Sequence, residues 1–208
     1  MIMEDERRAE ADGAGSKVRT FGDAEPDDYA KAFSLEGGED FDLHVDLDAE
    51  PEHESDVDFG PVTGWRPANC LETLKTQINA RWPNRRKSSD GMIGDDRHCA
   101  VVTDKPSDHC AHVRDGGVGV VTAYDITFDD RAGMCDAHAV VEAIRRSKDP
   151  RVKYIISNGK ICSSYAVGQV QPWAWRPYKG SNKHTKHAHL SVVATKAAYD
   201  STKPWVIE

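Results

Sequence analysis

Three histidines fall within six residues, His184-Thr185-Lys186-His187-Ala188-His189, directly ahead of the apolar residues Leu190, Val192 and Val193. In a β-strand side chains alternate between faces, so His187 and His189 would share one face about 6–7 Å apart. Two imidazoles at that separation suit one metal site, one as ligand and the other beside it. Neutral imidazole is the commonest protein ligand for zinc, and it titrates close to working pH. A lone strand histidine is usually structural, whereas H-x-x-H-x-H spacing in a chain with nine histidines points to a functional site.

Such a site needs ligands from elsewhere. The segment 106–112 contributes His109 and His112, and the strand-like run 120–127 contains one carboxylate, Asp125. By alternation Val121 and Ala123 lie on the face of Asp125, and Val120, Thr122, Tyr124 and Ile126 on the other. An ionised carboxylate emerging from a packed strand is costly unless it is paired or bound to a metal. The plainer reading is an Asp at a strand end that caps a loop.

In their order these residues resemble the peptidase M15 family of zinc D-Ala-D-Ala carboxypeptidases and endopeptidases, and within it the phage-lysin-like branch. That family carries S-x-H, then A-x-D, then H-x-H, which read here Ser107-x-His109, Ala123-x-Asp125 and His187-x-His189. The resemblance spans about residues 61–208. It is supported by the segments 89–95, 151–159 and 173–178. It implies that His109, Asp125 and His189 hold a Zn²⁺ ion whose fourth position is open to water. Three protein ligands with an open position mark catalytic zinc, which lowers the pKa of water and polarises a scissile carbonyl.

Two features depart from the family. Fifteen residues lie between His109 and Asp125, including His112 and Gly116-Gly117, where many members have a short gap. His112 is therefore a rival first ligand, with His109 preferred because it holds the S-x-H position. Some relatives also place a Glu three residues before the last ligand, where this chain has Lys186. Relatives with H-x-x-H-x-H use the first or second histidine beside the metal, which implies His184 or His187 as the proton-transfer group.

Charge divides the chain. Residues 1–60 hold 20 Asp and Glu against 5 Lys and Arg, a net of −15, whereas the other 148 hold 15 against 22, a net of +7. An acidic segment with little apolar surface is expected to form a disordered tail, or at most a small N-terminal module. The alternating run 41–48 is its one strand candidate, able to add to a sheet edge. Residues 61–208 form the expected peptidase domain. No run of 18 apolar residues occurs, and the N-terminus lacks the apolar core of a signal peptide. Synthesis in the cytoplasm is expected, with the bacterial wall reached through membrane holes or in a phage particle. Cys70, Cys99, Cys110, Cys135 and Cys162 are odd in number and lack metal-type spacing, which suits reduced thiols. The chain has no G-x-S-x-G, P-loop, G-x-G-x-x-G or C-x-x-C motif, so serine-hydrolase, nucleotide-hydrolase and zinc-ribbon readings lack support.

The elements that must position the site read as a small α+β fold. Leu71, Leu74, Ile78 and Trp82 recur at helical spacing, with Pro67 placed for the first turn and Pro83 as the stop. A second helix follows Asp136, turns Val140, Val141 and Ile144 inward, and ends before Asp149-Pro150. Residues 152–157, Asn158-Gly159 and 160–163 read as a hairpin. With strands at 118–127 and 187–193 this gives a mostly antiparallel sheet, helices packed against it and the zinc site on one face. Trp173, Trp175, Tyr178 and Trp205 read as core or rim packing.

Stem peptides of the wall carry carboxylates, and an Arg fork suits them. Arg85, Arg86 and Lys87 precede Ser89-Asp90-Gly91, and Arg176 follows the Trp pair, so Arg86 and Arg176 are the candidate substrate-binding cations. Bacterial peptidoglycan is the expected partner, with no nucleic acid and a monomeric state. Two other readings stand beside the peptidase: a noncatalytic wall-binding or virion module that keeps the zinc fold, favoured by the absent Glu, and a metal-dependent nuclease around His109 and His112.

Overall fold

The computed structural model describes residues 17–20, 63–99 and 106–208. In chain order the elements are β1 (Gly64–Pro67), α1 (Asn69–Arg81), α2 (Asp96–Cys99), β2 (Val113–Asp115), β3 (Val118–Val121), β4 (Ala123–Thr127), α3 (Ala137–Ser147), β5 (Val152–Ser157), β6 (Lys160–Ser163), β7 (Arg176–Pro177), β8 (His187–Val192) and α4 (Lys196–Tyr199). They form an α+β domain with two sheets. In the smaller, ordered β1-β3-β2, β1 runs parallel and β2 antiparallel to β3. The larger, ordered β4-β8-β5-β6-β7, is antiparallel throughout. The expected strand at 41–48 lies outside the described residues, as does the acidic segment apart from residues 17–20. Among the described residues no helix is long and apolar enough to cross a membrane.

The expected strand over 118–127 is in fact two strands in different sheets. At Thr122 the chain leaves the ladder: its N–H bonds to the Asp108 carbonyl (3.0 Å) and its carbonyl takes the Val192 N–H (2.8 Å). Residues before it therefore pair with β1 and β2, and residues after it with β8. Periodicity cannot register this change, because both halves are buried and apolar.

Helix α1 buries Leu71, Leu74 and Ile78 at the predicted spacing. Each such side chain contributes about 1.5–3 kcal/mol through the surface it removes from water. Pro67, however, ends β1, and Ala68 is the N-cap, its N–H bonded to the Val121 carbonyl (2.9 Å). Proline suits that strand end as well as a first helical turn, since neither position needs its N–H. Helix α3 starts where Asp136 predicts: its carboxylate accepts the N–H groups of His138 and Ala139. Such a cap contributes about 1 kcal/mol. In the β5–β6 hairpin Asn158 (φ 48°) and Gly159 (φ 71°) are both left-handed, as a tight two-residue turn requires.

Strand β8 lies between β4 and β5 and sorts its side chains by parity. Ala188, Leu190 and Val192 enter the core, where α3 packs against the sheet, whereas His187, His189 and Ser191 face the other way. Asp125 is the register partner of His189, and Ile156 and Tyr154 are those of His189 and Ser191. The alternation seen in the sequence thus puts His187, His189 and Asp125 on one sheet face.

The expectation of reduced cysteines is overturned in part. Cys99 and Cys110 form a disulfide across a sequence separation of 11, while Cys70, Cys135 and Cys162 are free and buried. Sequence spacing carried no sign of the pair. It forms because α2 ends against the turn that holds His109.

Candidate metal centre

Three segments meet on the face of the larger sheet opposite α3. Asp125 comes from β4 and His189 from β8. His109 comes from the Ser107–Cys110 turn, closed by the Cys110 N–H to Ser107 carbonyl bond (2.8 Å). The His189 Nδ1 lies 3.0 Å from Asp125 Oδ1 and 3.1 Å from His109 Nε2, and His109 Nε2 lies 3.4 Å from Asp125 Oδ1. All three residues are at least 95 % buried, and together they could hold a metal ion.

The donor chemistry fits a cation. His109 Nδ1 lies 2.7 Å from the Met92 carbonyl, which can only accept, so Nδ1 carries a proton and Nε2 faces the cluster. His189 Nε2 bonds to Ser191 Oγ (2.9 Å), which leaves Nδ1 on the cluster side. Two imidazole nitrogens and a carboxylate oxygen thus converge, an arrangement that a shared proton or a metal ion stabilises. Ligands about 2.0–2.1 Å from a tetrahedral zinc sit about 3.3–3.4 Å from each other, close to the observed separations. Asp125 Oδ2 and His187 Nε2, 3.8 Å apart, are buried with no hydrogen-bond partner among the described residues. A buried carboxylate oxygen and ring nitrogen in that state mark where solvent, substrate or a metal-bound group is accommodated.

Electrostatics follow from this crowding. Burial works against the charge of Asp125, but His109 and His187, with the ring nitrogens of His109 and His189 close to it, hold its carboxyl well below the usual range. Burial likewise opposes protonation of His109, and Asp125 outweighs it and raises that pKa. Burial lowers His187 despite Asp125. His184 is pushed down to about 3 by burial and then by His187 and His189. It sits in left-handed backbone (φ 52°), with its own N–H bonded to Asn182 Oδ1 and its ring Nδ1 2.7 Å from the Asn182 carbonyl. Its ring centroid is 4.7 Å from that of His187 and 5.8 Å from that of His189. The loop before β8 therefore folds back over the cluster.

Other candidates go elsewhere. His112 turns to the Cys110 carbonyl (2.9 Å) and toward Asp108 (3.7 Å), and does not join the cluster. Arg85 is buried in an ion pair with Asp90, which also accepts from the Tyr124 hydroxyl (2.9 Å). Arg86 pairs with Asp130 (2.8 Å), and Arg176 on β7 reaches Ser163 (3.3 Å). The structure gives neither of these two a contact with the histidines. Lys186 is exposed.

Several further groups support the cluster. Ser89-Asp90-Gly91 clamps the ligand strand: Asp90 accepts from the Thr127 N–H and hydroxyl, and Gly91 exchanges two backbone bonds with Asp125 (2.8 and 3.3 Å). The Tyr154 ring stacks on His189 at 5.4 Å. His98 on α2 approaches Gly94 so closely that a Cβ there would lie 2.6 Å from the imidazole. Ser191 was legible, two residues after His189 on the same face. Tyr154 was not, because its position depends on sheet register. No family model, curated protein or solved structure matches the chain.

Proposed function

We propose that the protein is a zinc-dependent peptidase that hydrolyses amide bonds in the stem peptides of bacterial peptidoglycan, as phage or prophage lysins do. The observation that carries the catalytic part is the convergence of His109 Nε2, His189 Nδ1 and Asp125 Oδ1 within 3.0–3.4 Å, with the unpartnered His187 Nε2 beside Asp125. The wall substrate rests on the ordered S-x-H, A-x-D and H-x-H motifs, and its route to the wall on that resemblance.

A zinc ion held by these three residues would lower the pKa of water and polarise the scissile carbonyl. The chain's own groups supply the proton transfer. His187 is neutral near pH 7, because burial lowers its pKa, so Nε2 is able to take a proton from the attacking water. Asp125 Oδ2, 3.8 Å away, stabilises the imidazolium that results. The same nitrogen returns the proton to the leaving amine as the C–N bond breaks. His184 cannot carry a second positive charge there, and its neutral ring packs against His187 and orients it.

Lys186 in place of a family Glu favours the alternative of a noncatalytic wall-binding module with the same metal centre. One experiment separates the two. Purified wall digested with the protein, with and without a chelator, is compared by mass spectrometry of the released muropeptides. The peptidase reading expects new chelator-sensitive termini, about one zinc per chain, and loss of both in His189→Ala. Binding to wall without new termini supports the module, and full zinc occupancy in His189→Ala removes the ligand assignment.

A further inference from the structure

Asp108 is a buried carboxylate, 4 % exposed, that the mechanism above leaves without a task. It immediately precedes His109, yet the turn sends the two side chains to different partners. Lys153 Nζ lies 3.2 Å from each Asp108 oxygen, and Thr122 Oγ1 lies 3.5 Å from one of them. Ser191, fully buried on β8, also hydrogen-bonds to this carboxylate through its side chain. The same Ser191 hydroxyl is 2.9 Å from His189 Nε2.

Asp108 decides the direction of this chain of hydrogen bonds. A serine hydroxyl has one proton to give, and a carboxylate held by a lysine can only accept. If Ser191 gives its proton to Asp108, its oxygen must accept from His189 Nε2–H. His189 Nδ1 is then bare toward Asp125 and His109. In the reverse arrangement Nδ1 would carry a hydrogen and could not bind a metal. The segment that brings one histidine to the cluster thus also sets the tautomer of the other.

We infer that Asp108 and Ser191 are positioning residues for the metal centre, an outer relay that fixes the tautomer and orientation of His189 and strengthens it as a ligand, with Lys153 holding Asp108 in place. The inference rests on the metal reading above. Partners of this kind usually change metal affinity by about 10–100-fold when removed. A carboxylate acting through a hydroxyl belongs at the lower end of that range.

The test uses the full chain with Ser191→Ala, Asp108→Asn and the double variant. Zinc affinity is measured by competition with a chromophoric chelator, and the visible d–d absorption of the cobalt(II)-substituted protein reports ligand geometry. Ser191→Ala is expected to weaken zinc by about 10–100-fold, Asp108→Asn by about 10-fold, and each to alter the cobalt bands. The double variant should bind no more weakly than Ser191→Ala alone, because the relay is already cut. A purely structural role would lower the melting temperature and leave affinity and cobalt spectrum unchanged. Wild-type affinity and spectrum in the near-isosteric Asp108→Asn overturn the inference, as do losses that multiply in the double variant. Wild-type protein that takes up no zinc overturns the metal reading itself, and the relay with it.

Discussion

At the scale of single residues the two flanking histidines are chemically unequal, although their spacing in sequence makes them look alike. His187 Nε2 points at Asp125 Oδ2 across 3.8 Å, whereas His184 is anchored through Nδ1 to its own loop. Replacement of His187 by Ala is therefore expected to leave zinc bound and to lower turnover on cell walls by about 10²–10⁴-fold. His184→Ala should cost less, through lost orientation of His187. Near-normal cleavage by the double variant would remove histidine proton transfer from the mechanism. The low pKa of His184 also makes a stability prediction for the metal-free protein. A histidine near 3 when folded and near 6.5 when unfolded binds more protons in the unfolded state, so stability falls as pH drops below about 6.5. His109, raised by Asp125, acts in the opposite sense, so the comparison must isolate His184. His184→Asn keeps a residue that tolerates left-handed backbone and should flatten the dependence, by on the order of 1–2 kcal/mol between pH 7 and 5. Urea unfolding of both proteins across that range, with parallel slopes against pH, would refute this.

At the scale of elements, the turn carrying His109 has no ladder to hold it. Its fixings include the Gly94 N–H to His109 carbonyl bond (2.8 Å), the Thr122 N–H to Asp108 carbonyl bond and the Cys99–Cys110 disulfide. The expected effect of Cys99→Ser with Cys110→Ser is a loss of about 2–3 kcal/mol, the closure entropy of a loop of this length, and a melting temperature lower by about 5–10 °C. Zinc affinity should fall with it, because Cys110 adjoins the ligand. Unchanged affinity would mean that hydrogen bonds alone position His109. The elements divide by how local their causes are. Helix α3, the β5–β6 hairpin and the histidine face of β8 were legible because a cap, a turn pair and a parity pattern each act within a few residues. The sheet change at Thr122, the disulfide, and the burial of Arg85 against Asp90 were not, since each depends on a partner brought close only by the whole fold. The same limit explains the site: His187, His189 and Asp125 could be read from sequence, but the choice of His109 over His112 rested on motif order until the turn geometry appeared.

At the scale of the whole molecule, one described segment of the acidic half pairs with the domain that follows residue 60. Lys17–Thr20 lies within the acidic half, and Arg19 exchanges two backbone bonds with Trp65 (2.6 and 2.7 Å) on β1. The Arg19 guanidinium stands 5.2 Å over the indole, and Trp65 is fully buried. The close approach explains Gly64, where a Cβ would lie 2.5 Å from the Arg19 carbonyl. A protein that starts at residue 61 should still fold and bind zinc, because β4, β5 and β8 do not depend on this pairing. It should nevertheless lose the two backbone bonds and the cation–π contact, together about 1–3 kcal/mol. For a domain of this size that lowers the melting temperature by about 3–10 °C. A protein that starts at Gly15 keeps the pairing and should melt with the full chain. If both shortened proteins melt together, the contact at Trp65 contributes nothing. If the shorter one binds no zinc, the domain extends into the acidic half, and charge marked its edge wrongly.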